Sequence, residues 1–226
     1  MDNTIAQMLA VSKIYQRSGV ETRALYNVSF EAQPGELVLI LGPSGSGKTT
    51  FLTLLAGLQR PTTGDVFMFG NNVNKYSATE LQILRARRIG FIFQTFYLLD
   101  SLTSFENIML VMKFSGLDKA IASKRADDLL DRFGVKHLKN ALPKTLSQGE
   151  KQRVAVARSL ANGAELILAD EPTGSLATQQ GMVIISFLRE ITKSENKCVI
   201  ISSHDERIKS SADRVLQLSD GEIIKP

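Results

Sequence analysis

Leu37-Val38-Leu39-Ile40-Leu41-Gly42-Pro43-Ser44-Gly45-Ser46-Gly47-Lys48-Thr49 is the stretch that decides the fold. Leu37 to Leu41 form a wholly apolar run, the pattern of a strand buried on both faces. Gly42 to Thr49 satisfies G-x-x-x-x-G-K-[ST], and from Thr49 to Gly57 the residues Phe51, Leu54, Leu55 and Leu58 fall on one helical face. A strand, a glycine-rich turn and a helix in that order make a phosphate cradle. The glycines let the backbone curl until successive N–H groups point at phosphate oxygens, and the helix N-terminus adds its positive dipole end. Lys48 then reaches the β- and γ-phosphates, and the Thr49 hydroxyl ligates Mg²⁺. The expected binding set is Gly42, Pro43, Ser44, Gly45, Ser46, Gly47, Lys48 and Thr49, with Thr50 beside them on the first helical turn.

Farther along, Leu166-Ile167-Leu168-Ala169-Asp170 is an apolar strand ending in an acid, with Glu171 next and Pro172 to end the strand. An apolar strand running into an acidic turn is common by itself. Its place 122 residues after the lysine (170 − 48) gives it meaning. Asp170 is expected to hold Mg²⁺ through water, and Glu171 to orient or deprotonate an attacking water.

Leu146-Ser147-Gln148-Gly149-Glu150 reads two ways. As local structure it is a capping box opening a helix from about Glu150 to Ala161, with Ser147 and Glu150 satisfying each other's end of the first turn. As a site it is a second anion-binding helix N-terminus, offering the Ser147 hydroxyl and a glycine N–H. One chain holding one nucleotide at its cradle has no use for a second. Two chains arranged head to tail would bring it over the γ-phosphate held by the partner.

The bulk composition limits what else the chain can be. At 226 residues, 43% hydrophobic and 22% charged, it suits one large globular unit, or a core with an insertion. A net charge of +4, spread along the chain, does not require nucleic acid. The single cysteine, Cys198, sits in an apolar run, so a buried thiol in a reducing compartment is expected. Met1 to Gln7 lacks the basic start and apolar core of a secretory signal. No apolar run reaches the roughly 20 residues that span a bilayer, so work at a membrane is expected to go through a partner.

Residues 7–40 read as strands with a Pro34-Gly35 turn, and Asp65 to Phe69 as another strand. Thr79 to Arg88, Phe105 to Phe114 and Asp118 to Phe133 have helical periodicity, interrupted by a strand at Ile89 to Phe93. Glu165 to Ala169 and Cys198 to Ser202 are parallel-strand candidates, and Val215 to Ile224 is a hairpin on an Asp220-Gly221 turn. The picture is an α/β core of P-loop NTPase type carrying a mostly helical block at about residues 95–145.

The order of cradle, Gln94, Leu146 to Glu150, strand plus Asp170-Glu171, and a late histidine in Ser202-Ser203-His204-Asp205 resembles the ATP-binding cassette (ABC) ATPases over about Met8 to Ile224. The resemblance implies a mixed sheet core with an antiparallel β subdomain and an inserted helical subdomain, in a single nucleotide-binding domain, residues 1–226. It implies ATP and Mg²⁺ as cofactors. Gln94 would couple nucleotide and Mg²⁺ to the helical subdomain, and His204 would contact the γ-phosphate. Tyr15 would stack on the adenine, although its residues read equally as an ordinary strand aromatic. Ser147 and Gly149 would serve the opposite copy of a homodimer or pseudo-dimer.

Ala169 to Gly174 and Ile89 to Gln94 look most like the lipoprotein-releasing and macrolide-exporter branch. That branch implies an integral membrane permease subunit and a place on the cytoplasmic face of the cell membrane. Its work is export or extraction of a substrate, or, as in a related cell-division ATPase, signalling without transport. A docking face is expected near Phe96, Tyr97, Leu98 and Leu99. His137 has no comparable context and reads as a surface residue.

Three positions depart from the family pattern. The signature usually reads Leu-Ser-Gly-Gly-Gln, whereas Gln148 and Glu150 stand at its third and fifth positions. The loop Thr173-Gly174-Ser175-Leu176-Ala177 ends on alanine where the family has aspartate. The site is expected to work, with the side chain at position 148 crowding the closed dimer, and the alanine at 177 is expected to make hydrolysis slow or more dependent on a partner.

Overall fold

The computed structural model describes residues 4–17 and 19–224, so Met1 to Asn3 of the N-terminal reading lie outside the described residues. The chain runs β1 (Ala6–Arg17), β2 (Val20–Ala32), β3 (Leu37–Leu41), α1 (Lys48–Leu55), β4 (Thr63–Met68) and β5 (Asn71–Asn72). It continues through α2 (Ala78–Arg88), β6 (Ile89–Ile92), α3 (Ser104–Ser115), α4 (Lys119–Arg132) and α5 (Gln148–Leu160). It ends with β7 (Leu166–Asp170), α6 (Thr178–Ser194), β8 (Cys198–Ser203), β9 (Arg214–Ser219) and β10 (Glu222–Ile224).

Two sheets follow from two sequence patterns. The apolar runs form a six-stranded sheet in the order β10-β9-β3-β8-β7-β6, parallel except for β10. The alternating segments form a four-stranded antiparallel sheet, β2-β1-β4-β5. Period-2 alternation sorts the buried strands into two cores. Leu37, Leu39 and Leu41 pack with Ile167, Ala169, Val199 and Ile201 against α3, α4, α5 and α6. Val38 and Ile40 pack with Leu166, Leu168, Cys198 and Ile200 against α1 and the antiparallel sheet. The main sheet is therefore covered on both faces, which holds β3 and the cradle behind it in place. Cys198 is buried as expected, and burial pushes its thiol well above the usual range. His137 is exposed.

Two details differ from the sequence reading. Leu58 is not on the core face of α1; it is 48% exposed. Gly57 takes a left-handed φ of 59° and the N–H of Leu58 bonds back to Thr53 O at 2.9 Å, a C-terminal cap that ends the helix before Leu58. Of the expected docking face, Phe96 is not exposed either, at 9%, and Leu98 is half-buried against the core, whereas Tyr97 is 63% and Leu99 47% exposed. Consecutive left-handed residues at Phe96 (φ 61°) and Tyr97 (φ 45°) turn the first ring inward and the second out. Among the described residues no helix is long and apolar enough to cross a membrane.

Candidate active site

Three parallel strands deliver the site. Register pairs Leu41 with Ser203 and Asp170 with Ser202, so β3, β7 and β8 end side by side. Crevices at the carboxyl ends of parallel strands are where α/β sheets bind ligands. Here they bring together the cradle, Asp170, Glu171 and His204, which are far apart in sequence.

The cradle is shaped by two glycines, Gly42 and Gly47, that leave no room for a side chain. A Cβ on Gly42 would lie 2.1 Å from the Leu218 carbonyl oxygen, and one on Gly47, at φ 104°, would lie 2.2 Å from that of Ala24. Gly47 is the N-cap of α1 and makes no side-chain cap, and no acid stands in the first turn. The first N–H groups of α1 are thus left to a ligand. Ser46 is 3% exposed, and its hydroxyl oxygen is buried without a hydrogen-bond partner among the described residues. Lys48 is buried; its Nζ donates to Gly42 O at 2.8 Å and Pro43 O at 2.9 Å, and lies 3.5 Å from Glu171 Oε1.

The acids are held by different partners. Asp170 Oδ2 accepts from Thr49 Oγ1 at 2.8 Å, and Oδ1 accepts from Ser202 Oγ at 2.6 Å. Glu171 follows at φ 47°, a left-handed conformation that costs a non-glycine residue about 1–2 kcal/mol. Its N–H donates to Ser202 O at 3.1 Å and reaches Ser202 Oγ at 3.2 Å, which fixes the turn. His204 Nδ1 stands 2.9 Å from Glu171 Oε2, with the histidine 60% and the glutamate 13% exposed. Ser202 was not among the expected site residues. The signal was its place on the strand immediately before His204, but a serine there says nothing of what lies across β7.

A cavity of about 320 Å³ opens over these groups. Ser44, Gly45, Gly47, Lys48, Thr49 and Thr50 line it, and Gln94, Glu171 and His204 face them. Gln94 leans over the turn after Glu171, its Nε2 3.1 Å from where a Gly174 Cβ would lie. Arg23 also lines the cavity, its guanidinium 4.3 Å from the Tyr26 ring centroid; sequence reasoning missed it because an isolated strand arginine carries no pattern. Tyr15 is outside the lining. Its hydroxyl donates to Gln59 Oε1 at 2.6 Å and lies 3.4 Å from Thr50 Oγ1, so it borders the cavity through Thr50.

Ser147 and Gly149 are not brought to this cavity. The capping box is present: Ser147 N donates to Glu150 Oε2 at 2.8 Å, and Ser147 Oγ bonds the same oxygen at 2.8 Å. These bonds from the Ser147 backbone and hydroxyl hold the Glu150 carboxyl below its ordinary range. Ser147 is exposed, whereas Gly149 is buried under the Gln180 amide, whose Oε1 lies 3.0 Å from a Cβ built on the glycine.

The donor set fits a hard cation. Thr49 and Asp170 offer adjoining oxygens, and Gln94 can add its amide oxygen. Among the described residues no group of three or more His, Cys, Asp or Glu side chains forms a metal cage. One carboxylate and one hydroxyl beside a phosphate cradle match Mg²⁺, which takes few protein ligands and completes its shell with water and substrate phosphates.

Comparison with known proteins bears on the family and the fold. Residues 25–174 match the ABC transporter family model. The chain is 39% identical over 224 residues to the macrolide export ATP-binding/permease protein MacB of Agrobacterium fabrum, covering 99% of this chain but only 34% of that protein. It is 40% identical over 215 residues to an ABC transporter ATP-binding protein of Methanocaldococcus jannaschii, covering 95% and 96% of the two chains. Among solved structures, the dimeric post-hydrolysis state of the ATP-binding cassette MJ0796 bound to ADP and Pi superposes with a TM-score of 0.92 at 35% identity, over 98% of this chain and 97% of that one. The dimeric structure of MJ0796 described as a bacterial ABC transporter cassette gives 0.92 at 36% identity, with the same coverage.

Proposed function

The chain belongs to the ABC transporter family, and from that premise we propose that it is an ATPase subunit closing over ATP as a head-to-tail dimer. The observation that carries this reading is a division of labour. Lys48, Thr49, Glu171 and His204 line one cavity with Asp170 bonded behind Thr49, while Ser147 is exposed and bonded within its own helix turn. A second copy would supply Ser147 to the far side of the nucleotide, and MJ0796 supports the arrangement as a dimeric cassette of the same fold.

Each residue then has a task. The α1 N-terminus and Lys48 hold the β- and γ-phosphates, with Thr50 and Tyr15 toward the nucleoside. Thr49, Asp170 and Gln94 would hold Mg²⁺, which when bound neutralises charge on the β- and γ-phosphate oxygens. Glu171 orients the attacking water and takes its proton. His204, within ion-pair distance of Glu171, contacts the γ-phosphate from the cavity rim.

The membrane role is part of the proposal. The chain spans 34% of the macrolide exporter it matches, so export rests on a permease region lying outside this match. We assign the chain to the cytoplasmic face of the membrane, with the permease subunit docking near the exposed Tyr97 and Leu99.

Glu171→Gln tests the core of the reading. It is expected to cut turnover by about 100-fold or more and to yield an ATP-bound dimer on size exclusion. A strict monomer with saturating ATP overturns the dimer. Copurification from membranes, followed by identification of the bound subunit, tests the docking.

A further inference from the structure

The loop that follows Gln94 is held in an unfavourable backbone shape by a side chain that none of the steps above uses. Phe96 and Tyr97 both adopt left-handed φ, at 61° and 45°, which L-residues avoid and which persists only where surroundings enforce it. Arg158, from the last turn of α5, enforces it. Its Nη1 donates to Tyr97 O at 2.5 Å and its Nη2 to Phe96 O at 2.6 Å. The two guanidinium nitrogens fit two successive carbonyls, a fork geometry that lysine cannot supply. The guanidinium is largely withdrawn from solvent, and burial pushes it down to about 10.

A second clamp closes the loop from the other side. Asn107, 1% exposed on α3, accepts from Leu99 N at 2.8 Å and donates to Leu99 O at 3.2 Å and Leu102 O at 3.0 Å. The backbone between β6 and α3 is therefore fixed at both ends. Gln94 stands two residues before the Arg158 clamp and two after the end of β6, so it has little freedom left. α5 also carries Ser147 at its N-cap, eleven residues from Arg158 (158 − 147), about 16 Å along one rigid helix.

We propose that Arg158 is a positioning residue for Gln94: by gripping the Phe96 and Tyr97 carbonyls it sets the Gln94 amide in the nucleotide cavity, and ties that placement to the helix that bears Ser147. The inference rests on the reading of Gln94 as a site residue, and the test separates the two. Steady-state ATPase rates are measured for Gln94→Ala, Arg158→Lys and the double variant, with thermal unfolding of each. Arg158→Lys keeps the charge and most of the packing while losing the two-carbonyl grip, and it serves where Arg158→Ala fails to fold. The expected result is a kcat about tenfold lower with KM for ATP within about twofold, and no further loss when the substitution is added to Gln94→Ala. Independent, multiplying losses overturn the proposal, as does an unchanged kcat in Arg158→Lys. If Gln94→Ala alone keeps full turnover, the role of Gln94 itself is wrong, and Arg158 has nothing to position.

Discussion

The N-termini of α1 and α5 are both suited to an anion, yet they are finished in opposite ways. At α1 the cap is Gly47, with no side chain to occupy the first N–H groups and no acid in the first turn. At α5 the cap is Ser147, and Glu150 already satisfies both its N–H and its hydroxyl. The first terminus needs a ligand to complete its hydrogen bonds; at the second the capping box satisfies the Ser147 and Glu150 N–H groups, and those of Gln148 and Gly149 stand outside the box. On the proposed reading, a partner's γ-phosphate presented to Ser147 must draw the hydroxyl away from Glu150, against a carboxylate at a helix end that favours anions. On that reading one fold holds nucleotide in a single copy while catalysis depends on two.

The largest effect should come from breaking the ligand-dependent terminus. Lys48→Ala should weaken ATP binding by about 100-fold, since a charge-assisted contact with two phosphates is lost. Retained affinity in a fluorescent-nucleotide titration would remove the assigned role. Ser147→Ala attacks the other terminus and should behave differently. Turnover should fall about tenfold while affinity of the monomer for ATP stays within about twofold, and loss of the cap should lower stability by about 1 kcal/mol. Equal losses of binding and turnover would mean that Ser147 belongs to its own chain's site.

Smaller effects sharpen the contrast. Glu150→Gln removes the charge from the α5 terminus and should raise basal turnover about threefold, the worth of one charge at a helix end. The sign with pH follows from the depressed Glu150 carboxyl. Its stabilising contribution is present above the ordinary value of 4.5 and is lost as pH falls through the lower folded value. At neutral pH the carboxylate is therefore always charged, and the difference between variant and parent turnover should stay constant from about pH 6 to 8. A difference that grows toward pH 8 would point to another group. Ala177→Asp should have the smallest effect. Ala177 is the N-cap of α6 with no side-chain bond, so aspartate there should stabilise the helix by about 1 kcal/mol. It should also raise basal turnover, and an unchanged rate counts against slow hydrolysis having its origin at this position.

Features set by nearby residues were legible in the sequence. The cradle, the capping box at Ser147 and the Asp220-Gly221 hairpin each depend on residues a few positions apart, whose chemistry acts over one turn. Leu58 misled because helical periodicity ignores the left-handed glycine that ends the helix one residue earlier. Phe96 misled because an apolar residue in a loop looks exposed until the distant Arg158 bends the backbone and turns it inward. Ser202 and Gln180 were silent for the same reason: each acts on a residue far away in sequence.

By itself, then, the sequence determined the α/β class, the cradle and the carboxylate strand. Apolar periodicity and glycine spacing act locally, and they leave few alternatives for Leu37 to Thr49 or Leu166 to Glu171. Only the tertiary structure decided that Ser202 bridges Asp170 and Glu171, that Gly149 lies under Gln180, and that Arg158 governs the loop after Gln94. Those arrangements depend on strand register and helix packing, which bring together residues that no local pattern connects.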